Sequence, residues 1–484
     1  MKKAEIFLVA IILTVAGLLR LPLIAQGFFA FTYDQGRDLL AAKEIVADKN
    51  FTLIGPTTGL MGIFYGPWWY YFLALLFLIS KNPITITLIF GLIGIVTVGA
   101  IYFLTKRITK NSLVSASLAT TVAMSQAFNT TSSQIWNPSL VHPLMTVYIF
   151  SLYQIFQKAT LIWFFVLGLS SGFIFDTEAA FGIMLITSTV AAPFIFKKQF
   201  MNKKSLMFFL GIIIVLAPRI IFEIRHDFLM TKTLINWSSE INQNNMNLIQ
   251  RFISRLDQFF LIFAQTFSQS NKLLAIPLLV LITVSAVTVR KKIGKDKFFK
   301  FLILTLFIIY AGFSFYPESV WDYYLIGLPV IFIIIFAILV KHLIMKNKIL
   351  TYAILLIATV VGFNQRLLSP FSITWQGDGA IYKNQKAVIE DIKEDLKGDY
   401  SLHVYTPARF DYPFDYLVWL YHQTGRIDLP KDNQRRLFLI IRDDNSHLYL
   451  PTGWYGDKLK DNTRLLDRRR YQGDIIVEKH LVNE

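Results

Sequence analysis

The chain has 484 residues, 54% of them hydrophobic, a net charge of +16 and no cysteine, which leaves no disulfide, thiolate nucleophile or cysteine metal site. Its mean hydropathy of +0.49 comes from apolar runs near twenty residues long, the length a helix needs to cross a bilayer, so one large soluble core is excluded. A nucleic-acid groove is excluded too, because most Lys and Arg flank the apolar runs.

Met1-Lys2-Lys3 and the apolar stretch that follows have the look of a signal peptide with a weak site at Ala25-Gln26-Gly27, but the many later runs favour an uncleaved first span. Basic inner loops are expected at Lys2-Lys3, Lys106-Arg107-Lys110, Lys158, 197–204, 290–300 and 341–348. Placing them all inside gives about eleven spans, near 5–24, 84–105, 112–130, 140–157, 161–176, 180–196, 205–222, 272–290, 299–316, 322–340 and 349–366. The apolar stretches Trp68–Ile79 and Phe252–Phe267 then become juxtamembrane helices on the outer face; if both crossed, the count would be thirteen. The division is a membrane domain over 1–366, with a long first outer loop at about 25–83, and a small extracytoplasmic α/β domain over 367–484. In that domain a helix is expected over 380–396, strands over 401–406 and 437–441, and a short helix over 415–422. The class is mainly α, a polytopic membrane bundle.

Polar residues concentrate on the outer side, whereas carriers put ionisable groups near mid-membrane. Tyr33-Asp34-Gln35-Gly36-Arg37-Asp38 follows the first span, and a helix over 36–48 would hold the acid at its start, among free N–H groups. The aromatic run from Phe64 to Tyr71 suits a sugar ring, a prenyl chain or a headgroup belt. Asn137, before Pro138, caps a helix or bonds a substrate. Asp176 and Glu178, with Glu318 in the 316–324 loop, could hold a divalent cation or sit in water. Arg219 and Glu223 are spaced to pair on a helix, and Arg219 and Arg225 could clamp a phosphate. Tyr323 belongs to an acidic-aromatic loop.

Taken in order, these features resemble the lipid-linked-sugar glycosyltransferases of the GT-C superfamily, nearest the bacterial family 39 and protein-mannosyltransferase-like enzymes, aminoarabinose transferases among them. The resemblance covers about residues 5–365. Tyr33-Asp34-Gln35 matches the family's first-loop motif, with Gln35 in place of a second acid. Gly66-Pro67-Trp68 matches a Pro-aromatic entry to a juxtamembrane helix. Asn137 stands where an Asp is common, and Pro218–His226 matches a recurrent segment.

The resemblance implies an enzyme of the bacterial cytoplasmic membrane that takes a sugar from a polyprenyl-phosphate donor at the outer face. The acceptor would be a lipid, glycan or protein. Displacement would be direct and inverting, with Asp34 as base and Arg219, Arg225 and His226 on the phosphate. Tyr33, Arg37, Asp38, Asn137, Glu223 and Tyr323 would support them. The resemblance fixes no cofactor and leaves a divalent metal as an option, and membrane lipids are the other partners. The rival readings are a transporter or flippase of a lipid-linked saccharide, and a non-catalytic membrane assembly protein.

Overall fold

The computed structural model describes residues 3–240, 246–363, 365–372, 376–407, 410–442, 449–459 and 463–482. Lys2, one of the expected inner-loop lysines, lies outside them. Among the described residues seven helical segments are long and apolar enough to cross a membrane: Lys3–Ala25, Pro83–Thr109, Asn137–Gln157, Lys203–Arg225, Lys272–Ile293, Lys297–Phe315 and Asp322–Leu343. The protein is a polytopic, mainly helical membrane protein.

Seven corrects the expected eleven, and thirteen. Four expected crossings fall on shorter apolar helices, Ser112–Met124, Leu161–Thr177, Ala179–Ile195 and Lys348–Gly362. The 13 residues of Ser112–Met124 rise about 20 Å, against a hydrocarbon core of about 30 Å. The chain leaves the helix at Ser125, where ψ is 130°, and a separate short helix, Gln126–Ser132, follows. Hydropathy alone reads through such a break. Leu161–Thr177 likewise ends at Glu178, whose ψ of 89° is non-helical. Trp68–Ile79 is a 12-residue helix, too short to cross. Phe252–Phe267 belongs to the 20-residue helix Leu248–Phe267, interrupted by Arg251, Arg255 and Asp257.

Asn82, Asn111, Asn271, Asp296 and Asn347 each accept a hydrogen bond from the first turn of the helix they precede, so polar caps mark where apolar helices start. Asp322–Leu343 is the central helix: 78% of its apolar window is buried. One hydrophobic core joins the spanning helices. A second joins the first loop, the Trp68 helix and the C-terminal region.

The C-terminal region holds helices Tyr382–Ile392 and Tyr412–Gln423 and four strands, β1 (Ser401–Tyr405), β2 (Arg436–Arg442), β3 (Thr463–Tyr471) and β4 (Ile475–Val482). The sheet order is β1-β2-β4-β3. β1 and β2 run parallel, and β4 lies antiparallel to both β2 and β3. β3, the outer strand of the β3–β4 hairpin, carries Arg468, Arg469 and Arg470. These arginines lie on an edge strand, and Arg468 and Arg469 pair with Glu478, Asp391 and Asp467. Charge on an edge discourages pairing with another chain.

Candidate active site

The helix carrying the first-loop acids spans Tyr33–Ala47, three residues earlier than expected. It starts early because Gln35 caps it: Oε1 accepts from the Thr32 backbone N–H at 2.8 Å. The residue standing in place of a second acid is therefore buried and structural. Asp34 falls in the first turn, where unpaired N–H groups favour a negative charge.

Asp34 belongs to a chain of charge. Arg37 Nη2 lies 3.0 Å from Asp34 Oδ1 and 2.7 Å from Asp38 Oδ1. Trp69 Nε1 donates to Asp38 Oδ2 at 2.7 Å, and the Arg37 guanidinium stacks 4.9 Å over the Tyr33 ring. The Asp34 side chain is 39% exposed and that of Asp38 fully buried, so only the first can meet a substrate. Burial pushes Asp38 up to about 6, although Arg37 pulls it back.

Two cavities meet beside this helix. A polar chamber of about 360 Å³ is lined by Tyr33, Asp34, Arg37, Asn137, Tyr323 and the strand-like turn around Thr57. A larger cavity of about 1000 Å³ is mostly apolar, with Met184, Leu216, Phe228, Trp237 and Phe313 in its wall, and Arg219, Glu223 and Tyr316 among its few polar groups. Thr58, Gly59, Tyr65 and Glu178 belong to both walls.

Glu178 sits where Leu161–Thr177 breaks. Asn137 Nδ2 secures that break by donating to the Thr177 carbonyl at 2.6 Å. Both carboxyl oxygens of Glu178 are buried without a hydrogen-bond partner, and burial pushes the group up to about 8, the Ala180 amide offsetting only part. A carboxyl raised in the folded state costs stability as pH rises from its unfolded value, near 4.5, through about 8. Glu178→Gln, which cannot ionise, should therefore melt a few degrees higher than wild type at pH 8.5 and at nearly the same temperature at pH 5. Thermal unfolding in detergent at the two pH values checks this.

The other expected residues divide. Asp176 is fully buried and lies against Gly66, where any Cβ would collide with its carboxylate; the glycine is required for that approach. Glu318 is partly buried, its carbonyl accepting from Arg255 Nη2 at 2.8 Å. Among the described residues no three His, Cys, Asp or Glu side chains gather as metal ligands, so Asp176, Glu178 and Glu318 do not share one three-ligand cluster.

The expected Arg219–Glu223 pair is not made. Glu223 instead accepts from the Met230 and Thr231 backbone N–H groups at 2.8 and 3.0 Å and from Thr231 Oγ1, capping the next helix. Arg219 is left over the Phe175 ring at 5.0 Å, with Nη1 buried and unpartnered. Arg225 and His226 are exposed and line neither cavity. His226 stacks on Phe222 at 4.1 Å, at the C-terminal end of the helix that carries Arg219. Tyr323 packs edge-on to Trp136 at 5.2 Å.

Sequence reasoning missed Tyr65, Trp69 and Trp237. The first two lie in the aromatic run it noticed but could not resolve. Trp237 stacks on Tyr316 at 6.0 Å in the apolar wall, a pairing no local pattern signals.

No protein-family model matches the chain, and no curated protein does. Solved structures do. ArnT from Cupriavidus metallidurans in the apo state superposes with a TM-score of 0.61 at 10% identity, over 98% of this chain and 97% of that one. The same ArnT bound to undecaprenyl phosphate gives a TM-score of 0.59 at the same identity and coverage. The chain therefore shares the fold of ArnT over nearly its whole length. The mycobacterial arabinofuranosyltransferase AftD is more distant, with a TM-score of 0.41 and 12% identity over 98% of this chain and 40% of that one. Within this fold, the polar chamber and the apolar cavity share part of their walls beside the first-loop helix.

Proposed function

We propose that the protein transfers a sugar from a polyprenyl-phosphate donor to a hydroxyl acceptor at the outer face of the bacterial cytoplasmic membrane. The observation that carries this is the junction of the two cavities across Thr58, Gly59, Tyr65 and Glu178. A polyprenyl-phosphate sugar is amphipathic: its tail needs an apolar, lipid-like wall and its sugar a polar one. The two chambers supply these side by side, with Arg219 in the apolar wall near the neck. ArnT, whose fold this chain shares, has been solved with undecaprenyl phosphate.

The chemistry is a single displacement. The acceptor oxygen attacks the anomeric carbon as the bond from that carbon to the phosphate oxygen breaks. The bonding pair leaves with the phosphate, and the acceptor proton passes to Asp34. One displacement inverts the anomeric centre. Arg219 offsets the second negative charge that develops on the departing phosphate. Arg37 holds Asp34 and is itself held by Asp38, which the Trp69 indole N–H secures in turn. The test is purified protein in proteoliposomes with polyprenyl-phosphate donors labelled in the sugar. The reading expects labelled product and stoichiometric polyprenyl phosphate; no release from any donor of a broad panel overturns it.

A pH dependence follows from Asp38. Between about 4 and about 6 the folded state holds a proton on Asp38 that the unfolded chain has released. Stability therefore rises as pH falls through that window. Transfer moves the other way, because protonated Asp38 no longer shares Arg37, whose charge then bears on the Asp34 carboxylate alone and holds it from the acceptor. The transfer rate should drop as pH falls through about 6, and Asp38→Asn should show no inflection there. A rate profile from pH 5 to 8 checks both.

A further inference from the structure

The C-terminal domain touches the first loop on two sides of Asp34. Upstream, the Phe31 N–H donates to the Ala380 carbonyl at 2.7 Å, and the Tyr382 and Lys383 N–H groups donate to the Phe29 and Gly27 carbonyls at 3.0 Å each. The side chain of Gln385, fully buried, spans the two parts: Nε2 donates to the Phe31 carbonyl at 2.9 Å and to the Gly379 carbonyl at 2.8 Å. Downstream, Gly36 lies directly against the start of helix Tyr412–Gln423. A Cβ there would fall 2.5 Å from Pro413 N and 2.6 Å from the Tyr412 carbonyl oxygen. These are backbone atoms, which no rotamer change moves aside. Tyr33, next to Asp34, packs on Tyr412 at 5.3 Å.

We propose that the C-terminal domain is a clamp that sets the position of Asp34, with Gln385 and Gly36 as its positioning residues. The geometry gives the reason. Asp34 stands between the two points of attachment, with Phe31 three residues before it and Gly36 two after. The opposite side of its helix is tied by Asp38 to Trp69 of the Trp68–Ile79 helix. The domain's core is continuous with that of the first loop, so the domain and the acid move as one body. Its hydrogen bonds are mostly backbone to backbone, which suits fixing a chain segment rather than gripping a diffusing ligand. The proposal rests on the reading of Asp34 as the base, and its test has an arm free of that reading.

The experiment compares the full-length wild type with Gly36→Ala and Gln385→Leu in nanodiscs. Gly36→Ala forces the helix and the domain apart. Gln385→Leu leaves the Phe31 and Gly379 carbonyls buried without a donor. In both variants, amide exchange across residues 27–40 should rise about 10-fold while exchange in the spanning helices stays as in wild type, which also shows that they fold. The kcat should fall by up to about 10²-fold, as for a base displaced by about 1 Å, with donor KM within about twofold. Unchanged exchange in 27–40 overturns the proposal. So does a kcat equal to wild type despite raised exchange, or a loss carried by donor KM, which would mark disturbed binding rather than a displaced base. A wild type that transfers no sugar sinks the transferase reading, and the exchange arm then decides the clamp alone.

Discussion

Replacing Asp34 with Asn should lower sugar transfer by about 10²–10⁴-fold, the range a positioned general base contributes, while donor binding stays near wild type. Asn keeps the size of the side chain, its place in the first helical turn and an oxygen for Arg37 Nη2, which lies 3.0 Å from Asp34 Oδ1. Only the capacity to take the acceptor proton is lost. Donor binding is largely spared because the prenyl tail and phosphate are held by the apolar cavity and Arg219, which Asp34 does not line, and the sugar keeps the rest of the polar chamber's wall. Stability should change little, since the side chain is 39% exposed. Single-turnover transfer of labelled sugar, with donor binding measured on the same preparation, reads both quantities. A variant that transfers at the wild-type rate would remove Asp34 from the chemistry. A variant that no longer binds donor would make it a binding residue instead.

The sequence was informative where one physical signal dominated. Runs such as 272–290 and 322–340 sit on long apolar helices, because little besides a membrane crossing sustains such hydropathy over about twenty residues. Asp34 stood out because an acid beside Gly and Arg at a span's end is uncommon, and the structure puts it in a helix's first turn on a polar chamber. The signal failed where tertiary contacts decide. Ser125 ends a helix inside an apolar run. Arg219 and Glu223 have the spacing to pair, yet Glu223 caps the next helix. Arg225 and His226 looked equivalent to Arg219, but they stand at the end of their helix, where both are exposed. The seating of Tyr412 and Pro413 on Gly36 joins segments far apart in the chain, which no local pattern records. The unpartnered Glu178 was legible only as an acid near a span end; its burial in the shared wall depends on the fold.

Arg219→Gln should lower kcat/KM for the donor by about 10–150-fold, the equivalent of losing one charge-assisted hydrogen bond, and both kinetic constants should move. The donor's phosphodiester already carries a negative charge, so its binding weakens and KM rises. A second charge appears as the anomeric bond breaks, so kcat falls as well. That signature separates Arg219 from Asp34, whose loss leaves donor binding intact. Stability should change little, because Nη1 is buried without a partner in the protein and the burial of the guanidinium is offset only in part by the Phe175 ring and nearby carboxylates. Arg219→Lys should recover part of the loss: it restores the charge but not the planar fork that meets two phosphate oxygens. Initial rates against donor concentration for the three proteins, with thermal melts in detergent, make the comparison. Wild-type kcat/KM in Arg219→Gln would remove this arginine from the phosphate. It would also leave the apolar cavity with only Glu223 and Glu178 as charged groups in its wall, a lining unsuited to an anionic lipid. The place proposed for the donor would then have to be abandoned along with the residue.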